Sequence, residues 1–281
     1  MSVKFIIDSA SDVLPEEAKA LGVTHLPLKV VFGGETYDDA IDLSHREFFE
    51  KLGASRELPT TCQIAPAAFA DSYEPLVAAG HSVVVITISS KLSGTYQSAV
   101  IAAADYPGRV FVVDSLSATV GERILLMRGL ELAQQGLDAE QIAGILDEEK
   151  SRIRVMAMID TLEYLKKGGR ISAATALAGT VLSIKPAIEV RDGEVAMAGK
   201  ARGTRQGNVL LRELIGKYGG VNYNKPYALV YSGLNDDLLR KFIAEYPDLW
   251  QGRTELPIHS LGCAIGTHVG PGAYGIAFFE E

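Results

Sequence analysis

The residues best placed to bind a ligand follow the most apolar strand in the sequence. Residues 83–88 form a nearly unbroken apolar run, which is typical of a strand inside a parallel sheet. Ser93-Gly94-Thr95 comes next and precedes an alanine-rich segment that predicts a helix to about Ala104. Backbone N–H groups at the start of a helix have no helical partner, and the helix dipole attracts an anion there. Ser93 and Gly94 are therefore candidate anion-binding residues, while a role for Ser93 as a helix cap alone stays open.

A second candidate is His268, which lies in the glycine-rich stretch Gly266–Gly275. Residues 270–275 match the G-x-G-x-x-G string of dinucleotide-binding proteins, which requires a strand before it and a helix after it. Here the predicted strand, 273–279, follows the glycines, so dinucleotide binding is excluded. We interpret the stretch as a glycine-rich loop that brings backbone and imidazole close to a ligand. A turn-rich loop with a solvated His268 is an equal alternative.

A third pattern is Asp8-Ser9-Ala10-Ser11-Asp12, directly after the first predicted strand. It is similar to the start of haloacid-dehalogenase-type phosphatases, which place an aspartate nucleophile two residues before a second aspartate. Position 10 is alanine, so the general acid is missing and that mechanism is excluded. We expect Asp8 to bind neighbouring backbone amides instead.

Other catalytic signatures are missing from the sequence. The five histidines show no paired metal-ligand spacing, so we expect neither a metal site nor a cofactor. The sequence also lacks a G-x-S-x-G nucleophile elbow and a G-x-x-x-x-G-K-[ST] phosphate loop. A self-sufficient hydrolase or ATP-using enzyme is therefore not expected.

The charge distribution limits the classes of partner. A formal net charge of −8 gives no general attraction to nucleic acid or to an anionic membrane. Residues 166–205 nevertheless carry eight basic side chains against three acidic ones. This run is either a solvated face or a docking surface for an acidic partner. The basic residues are Lys166, Lys167, Arg170, Lys185, Arg191, Lys200, Arg202 and Arg205.

The sequence also indicates a compartment. No segment approaches the ~18 consecutive apolar residues of a membrane span, and the first residues are unlike a signal peptide. Only Cys62 and Cys263 are present, and their separation suggests no disulfide scaffold. We expect a cytoplasmic protein without a membrane span, which leaves room for transient membrane contact.

The elements that must position these residues change in pattern near residue 150. Before it, strands and helices alternate as in an open parallel α/β/α sheet, and after it hairpins mix with helices. We therefore predict two α/β domains, 1–150 and 151–281, the second with a mixed sheet. The predicted strands are 4–8, 83–88, 110–114, 155–159, 227–231 and 273–279, with hairpins at 25–37 and 187–201. The predicted helices are 15–21, 44–52, 66–79, 95–104, 120–135, 138–150, 161–167, 172–182, 204–218 and 235–245, with a loop at 58–63.

Seven short segments are spread over nearly the whole chain: Ile7–Asp12, Leu58–Gln63, Ile88–Ala99, Val113–Ser115, Leu162–Ser172, Ser183–Pro186 and Gly266–Gly275. Each segment is short, but the combination is specific. In this order the segments resemble the DegV family of bacterial fatty-acid-binding proteins.

The resemblance implies a two-domain α/β fold related to a dihydroxyacetone-kinase domain, with a long-chain fatty acid in a tunnel near the domain interface. It also implies a carrier without catalysis of its own, which presents the fatty acid carboxylate to a separate ATP-dependent fatty acid kinase. That kinase would form acyl phosphate for phospholipid synthesis. The positions that would bind the carboxylate are Thr61, Ser93, the Gly94 amide and His268. Basic positions implicated in the head-group surroundings or in kinase docking are Arg170 and Arg202.

Two alternatives stay open beside the carrier. An enzyme could act on a small carboxylate or phosphorylated ligand with His268 as acid or base. A regulatory lipid sensor would bind the same fatty acid without a kinase. One departure from the family pattern is Cys62, where many relatives have serine, and it matters only if that side chain contacts the ligand.

Overall fold

The structure of the chain is a computed structural model that describes residues 2–171 and 184–280. Strands and helices alternate through the first part. These elements are β1 (Val3–Asp8), α1 (Pro15–Leu21), β2 (Val23–Leu26), β3 (Lys29–Phe32), β4 (Glu35–Asp38), α2 (His45–Ala54), β5 (Thr60–Cys62), α3 (Pro66–Ala78), β6 (Ser82–Thr87), α4 (Thr95–Ala103), β7 (Val110–Asp114), α5 (Val120–Gln134) and α6 (Ala139–Glu149).

The second part mixes hairpins, helices and single strands. Its elements are β8 (Ile153–Met158), α7 (Glu163–Lys167), β9 (Ile184–Arg191), β10 (Glu194–Arg202), α8 (Gly203–Lys217), β11 (Ala228–Tyr231), α9 (Asp237–Glu245), β12 (Ile258–Ser260), α10 (Cys263–Val269) and β13 (Tyr274–Phe279).

The N-terminal sheet is parallel, with strand order β2-β1-β6-β7. Its central strands are apolar along their whole length because both faces are covered, and Ile6 and Ile86 have no solvent exposure. Helices α3 and α4 pack on each other and on β6, and α5 and α6 form a second such pair. The predicted open α/β/α sheet is confirmed.

The C-terminal sheet has the order β10-β9-β8-β13-β11-β12 and is mixed, since only β11 and β12 run parallel. The hairpin of β9 and β10 turns at Asp192-Gly193, where both residues have positive φ, as the preferred two-residue turn requires. Helix α5 contacts β6 of the first sheet and β8, β11 and β13 of the second. The mixed second sheet is therefore confirmed, while the domain boundary near residue 150 stays a prediction.

Two predictions for the N-terminal part were wrong in detail. Residues 25–37 do not form one hairpin: β2 joins the parallel sheet, and only β3 and β4 form a hairpin. Pro27 separates the two because it lacks an N–H group for a continued ladder. The predicted loop at 58–63 contains the short strand β5, which pairs with β3 in a small antiparallel sheet of order β4-β3-β5.

The prediction of a glycine-rich loop around His268 was also wrong. Residues 263–269 form helix α10, and the glycines beyond it lead to β13. Strand β12 was not predicted, and the helix predicted at 172–182 lies outside the described residues. Within the described ranges, no helix is long and apolar enough to cross a bilayer.

Candidate functional site

A cavity of about 390 Å³ lies between the two sheets. Most of its wall is aliphatic and comes from both parts of the chain, for example Leu28 and Ile88 from the first and Val155 and Ile188 from the second. This volume falls in the range of about 300–1,000 Å³ that is typical of small-molecule sites, whose walls are mainly apolar with a few polar groups. The cavity can therefore enclose an elongated apolar ligand.

Five polar side chains that line the cavity are here called the polar cavity cluster: Thr61, Gln63, Ser93, Arg170 and His268. Within it, Thr61 and His268 are hydrogen-bonded to each other.

His268 lies on α10 and faces Thr61 of β5 across the cavity wall. Its Nε2 atom is 2.9 Å from Thr61 Oγ1. Its Nδ1 atom is buried against Gly168 and has no hydrogen-bond partner among the described residues. Burial, with a smaller effect from the nearby Arg170 charge, lowers the pKa of His268 to about 4. The imidazole is therefore neutral at pH 7 and can donate one hydrogen bond to Thr61 or to a ligand.

Ser93 and Gly94 precede helix α4, whose N-cap is Gly94 and not Ser93. Ser93 Oγ accepts the Thr95 N–H group at 3.3 Å and lies 2.9 Å from Thr95 Oγ1. The N-cap Gly94 has no side chain of its own, so apart from the Thr95 N–H the amides of the first turn have no helical partner and can meet an acceptor. The structure therefore makes Ser93 part of the turn before the helix, which differs from the cap-only interpretation.

Gln63 covers this turn and was not predicted as a site residue. Its Nε2 group donates to Ser98 Oγ at 3.0 Å, and its side-chain carbonyl lies directly against Gly94. A β-carbon at Gly94 would overlap that carbonyl, so a larger residue at this position would displace the end of the Gln63 side chain. The signal in the sequence was the segment Leu58–Gln63, in which only Thr61 was assigned a role.

Arg170 closes the polar cavity cluster near Ser93. Its Nε group donates to the Leu92 carbonyl at 3.1 Å, and Nη1 donates to the Gly168 carbonyl at 2.6 Å. No carboxylate among the described residues pairs with it, so its charge is available to an anion in the cavity. Arg202 is placed differently: it is exposed at the end of β10 and is not among the described residues that line the cavity.

Some of the basic side chains in residues 166–205 form ion pairs, and others do not pair with a described carboxylate. Lys167, Lys185 and Arg191 form ion pairs with Glu163, Asp160 and Glu189, respectively. Basic residues that pair with no described carboxylate are Lys166, Arg170, Arg202 and Arg205. Cys62 lines the cavity beside Thr61 and is exposed.

A second polar group lies beside the cavity and is fully buried. We call it the buried acid cluster, and it consists of Asp8, Asp12, Asp39 and Glu122. Asp8 accepts the Ala10 and Ile88 N–H groups at 3.0 and 2.8 Å, as predicted from the sequence.

The other members of the buried acid cluster were not predicted. Asp12 accepts the Gly262 N–H at 2.7 Å and the Thr119 hydroxyl at 2.5 Å. Thr119, which lines the cavity, has a φ of 53° that a β-branched residue rarely adopts. Asp39 accepts the N–H groups of Cys263 and Ala264, at 2.9 and 3.2 Å. The first turn of α10 is thus bound by carboxylates.

Burial controls the protonation of this cluster. Burial raises the pKa values of Asp8 and Asp12 to about 7, although the hydrogen bonds that these carboxylates accept lower the values in part. Burial and the neighbouring Asp8 and Asp12 charges raise the pKa of Glu122 well above its usual value. No described N–H group donates to the Glu122 oxygens. Burial therefore favours the protonated, neutral form of Glu122 beside Asp8.

The family model described as "Uncharacterised protein, DegV family" matches residues 2–281. The chain belongs to the DegV family. A DegV domain-containing protein from Deinococcus radiodurans is 35% identical over 277 residues, which cover 99% of this chain and 98% of the relative.

Solved DegV structures have the same fold over the whole chain. The structure of a DegV family protein from Thermus thermophilus, described for its fatty acid binding, has a TM-score of 0.89 and 33% identity, and covers 100% of both chains. A stearic-acid-binding protein from Eubacterium ventriosum has a TM-score of 0.84 and 26% identity, over 100% of this chain and 98% of its own. Both of these relatives bind fatty acids according to their descriptions.

Proposed function

We propose that this DegV protein binds a long-chain fatty acid in the cavity, with the carboxylate at the polar cavity cluster. The observation that carries the proposal is a largely aliphatic cavity whose wall includes neutral hydrogen-bond donors and the Arg170 guanidinium, which pairs with no carboxylate among the described residues. The fatty-acid-binding relatives from Thermus thermophilus and Eubacterium ventriosum support the same ligand class. The carboxylate would accept from Thr61, Ser93, the Gly94 N–H and His268.

The energetics assign different tasks to the two ends of the ligand. Burial of each methylene contributes about 0.8 kcal/mol, so ~14 methylenes give roughly 11 kcal/mol before the costs of binding. Each hydrogen bond to a charged group contributes only about 1.5–3 kcal/mol. The acyl chain should therefore determine affinity, and the polar cavity cluster should determine the orientation of the carboxylate.

The second part of the proposal is that the protein presents this carboxylate to an ATP-dependent fatty acid kinase, which forms acyl phosphate. The support is the family resemblance together with the basic surface. Arg202 and Lys166 are exposed and have no described acidic partner, so they can attract an acidic surface of the kinase. Arg170 faces the cavity and would act on the carboxylate as well.

The first experiment is native purification, denaturation and mass spectrometry of any released lipid. A fatty acid at one equivalent per chain supports the carrier and identifies the preferred acyl chain. An empty protein that also takes up no added fatty acid would contradict it. Turnover of a small carboxylate or phosphorylated ligand by the isolated protein would favour the enzyme alternative, with His268 as acid or base.

The orientation role is tested by Thr61→Ala and Ser93→Ala. We expect both variants to retain fatty acid, because the buried acyl chain is unchanged. With the kinase they should form acyl phosphate at least about tenfold more slowly, because the reacting carboxylate is no longer held in position. Thr60→Ala, on the exposed face of the same strand, is the matched control. Equal losses of retention and phosphorylation in the site variants would contradict the assignment.

The docking role is tested best at Arg202, because Arg170→Glu would also disturb the cavity. Arg202→Glu should retain lipid, weaken kinase-dependent turnover and reduce its salt dependence. Lys241→Glu, a reversal at an exposed lysine of α9, is the control. Unchanged turnover without salt dependence would show that this part of the basic run is a solvated face.

A further inference from the structure

The N-terminus of α10 is held by residues from the opposite end of the sequence. Gly262 N–H donates to Asp12 across 250 residues of chain, and Cys263 N–H donates to Asp39 across 224. Asp39 also accepts the Ala264 N–H. Three amides at the start of α10 therefore donate to two carboxylates that are distant in sequence. Such amides have no partner within the helix, and a negative charge there is favoured by the dipole.

Two other helices are capped by the side chain of their own N-cap residue. Ser44 caps α2 and Asp138 caps α6, each in a complete capping box. At α10 the N-cap is Gly262, and a β-carbon there would lie 3.1 Å from both Asp12 Oδ1 and His45 Nε2. A local capping side chain would therefore be crowded at this position, and the amides of the helix start are bound by the N-terminal part of the chain instead.

The C-terminal end of α10 is held by the C-terminal part of the chain. The Ser232 hydroxyl donates to the Gly270 carbonyl at 2.7 Å and accepts the Ala273 N–H at 2.8 Å. His268 lies between these two attachments, on a helix of only seven residues. A helix this short moves as a unit, so a shift of its first turn displaces the imidazole from Thr61.

We infer that Asp39 is a positioning residue that holds α10 so that His268 meets Thr61 at the polar cavity cluster. The inference rests on the proposed function, since it names how the carboxylate-binding imidazole is placed. Asp39 is itself oriented by Ser9, whose hydroxyl donates to its Oδ2 atom at 2.9 Å. Ser9 Oγ in turn accepts the N–H of Leu28, a residue of the cavity wall, at 3.0 Å.

The chain offers a matched control in the same cluster. Asp8 is as buried as Asp39 and also accepts two backbone N–H groups, but those belong to Ala10 and Ile88. A general loss of stability would affect both variants, Asp39→Asn and Asp8→Asn, alike. If Asp39 positions α10, the surroundings of His268 should change in Asp39→Asn and not in Asp8→Asn.

The test uses the full-length protein with ¹⁵N-labelled histidine, stripped of lipid. Asp39→Asn should shift the His268 imidazole resonances and its titration midpoint, while Asp8→Asn should keep the resonances of the wild-type protein. In the kinase assay, Asp39→Asn should retain fatty acid and slow acyl-phosphate formation by about tenfold or more. In a His268→Ala background the same change should cost little further rate, because a positioning residue acts through His268.

Two results would overturn the inference: unchanged His268 resonances in Asp39→Asn, or full additivity of the two changes in rate. If neither the wild-type protein nor any variant binds fatty acid, the proposed function is wrong. The His268 resonances would still show whether Asp39 positions His268. If Asp39→Asn does not fold, Ser9→Ala removes the hydroxyl that orients Asp39 and keeps its charge. The same shift at His268 is then expected, and its absence contradicts the inference.

Discussion

The polar cavity cluster and the buried acid cluster lie next to each other but differ in how their hydrogen bonds are used. In the acid cluster, Asp8, Asp12 and Asp39 each accept at least two hydrogen bonds from the protein. In the cavity cluster, and counting described residues alone, His268 has one buried nitrogen without a partner and Arg170 donates to two carbonyl groups.

This difference separates a scaffold from a binding site. A saturated carboxylate is costly to remove and has little capacity left for a ligand, so it fixes the backbone around it. Donors with unused capacity beside an aliphatic cavity contribute little to folding and are available to an anionic ligand. Changes in the acid cluster should therefore reduce stability most, and changes in the cavity cluster should reduce ligand handling most.

The largest expected effect is that of Asp39→Ala, which leaves a hydroxyl and two N–H groups without their acceptor. We expect the free energy of unfolding to fall by about 3 kcal/mol or more, measured by chemical denaturation. Asp71→Ala, at an exposed aspartate of α3, should change it by less than about 0.5 kcal/mol. If Asp39→Ala lowered the free energy of unfolding as little as Asp71→Ala, the buried acid cluster could not be distinguished from the binding site as a scaffold.

Glu122→Gln should change how stability depends on pH. The Glu122 carboxyl stays protonated in the folded protein well above its usual pKa, whereas in the unfolded chain it ionises in the ordinary range. Unfolding above the ordinary glutamate range therefore releases a proton, and this residue lowers wild-type stability as pH rises. The glutamine variant should gain relative to wild type between pH 6 and 8. Parallel unfolding curves across that range would contradict a protonated Glu122.

Gly168→Ala should disturb the polar cavity cluster alone. The φ of Gly168 is −74°, which alanine adopts freely, but a β-carbon would overlap His268 Nδ1. We expect a destabilisation of about 1 kcal/mol from overpacking, with a shift of the His268 imidazole resonances. Gly144→Ala, on α6 with open space around it, should instead stabilise the protein slightly. Unshifted His268 resonances would show that the imidazole is held more loosely than the structure indicates.

The smallest effect on stability is expected for Thr61→Val, which removes one hydroxyl and keeps the shape of the side chain. The free energy of unfolding should change by less than about 1 kcal/mol, because the bond from Thr61 to His268 lies at a half-buried site. The His268 resonances should nevertheless shift, as measured by NMR with Thr60→Val as control. A large loss of stability would place Thr61 with the scaffold rather than with the site.

The sequence predicted the elements whose hydrophobic period is strong. The apolar runs of β1 and β6 and the capping signals at Ser44 and Pro66 lie where the structure has strands and helix starts. Thr61, Ser93, Gly94 and His268 were grouped by resemblance, and the structure places all four on one cavity wall.

The parts that sequence reasoning missed depend on long-range contacts. Helix α10 was predicted as a loop because glycines disfavour a helix, and nothing local caps its start. The amides at its start are bound by Asp12 and Asp39, which no short window of sequence connects to it. Gln63 was missed for a similar reason, since its role depends on the close approach of Gly94.

The distant attachment of α10 has a consequence for the order of biosynthesis. Thr61 and Ser93 emerge from the ribosome long before residues 262–268, at about 5–20 residues per second. The N-terminal cavity wall is therefore synthesised roughly 10–35 s before His268 can join it. Closing a loop of more than 200 residues is also entropically costly, so α10 should be among the last elements to dock. We therefore expect the apolar N-terminal wall of the cavity to stay uncovered in a nascent chain until α10 docks.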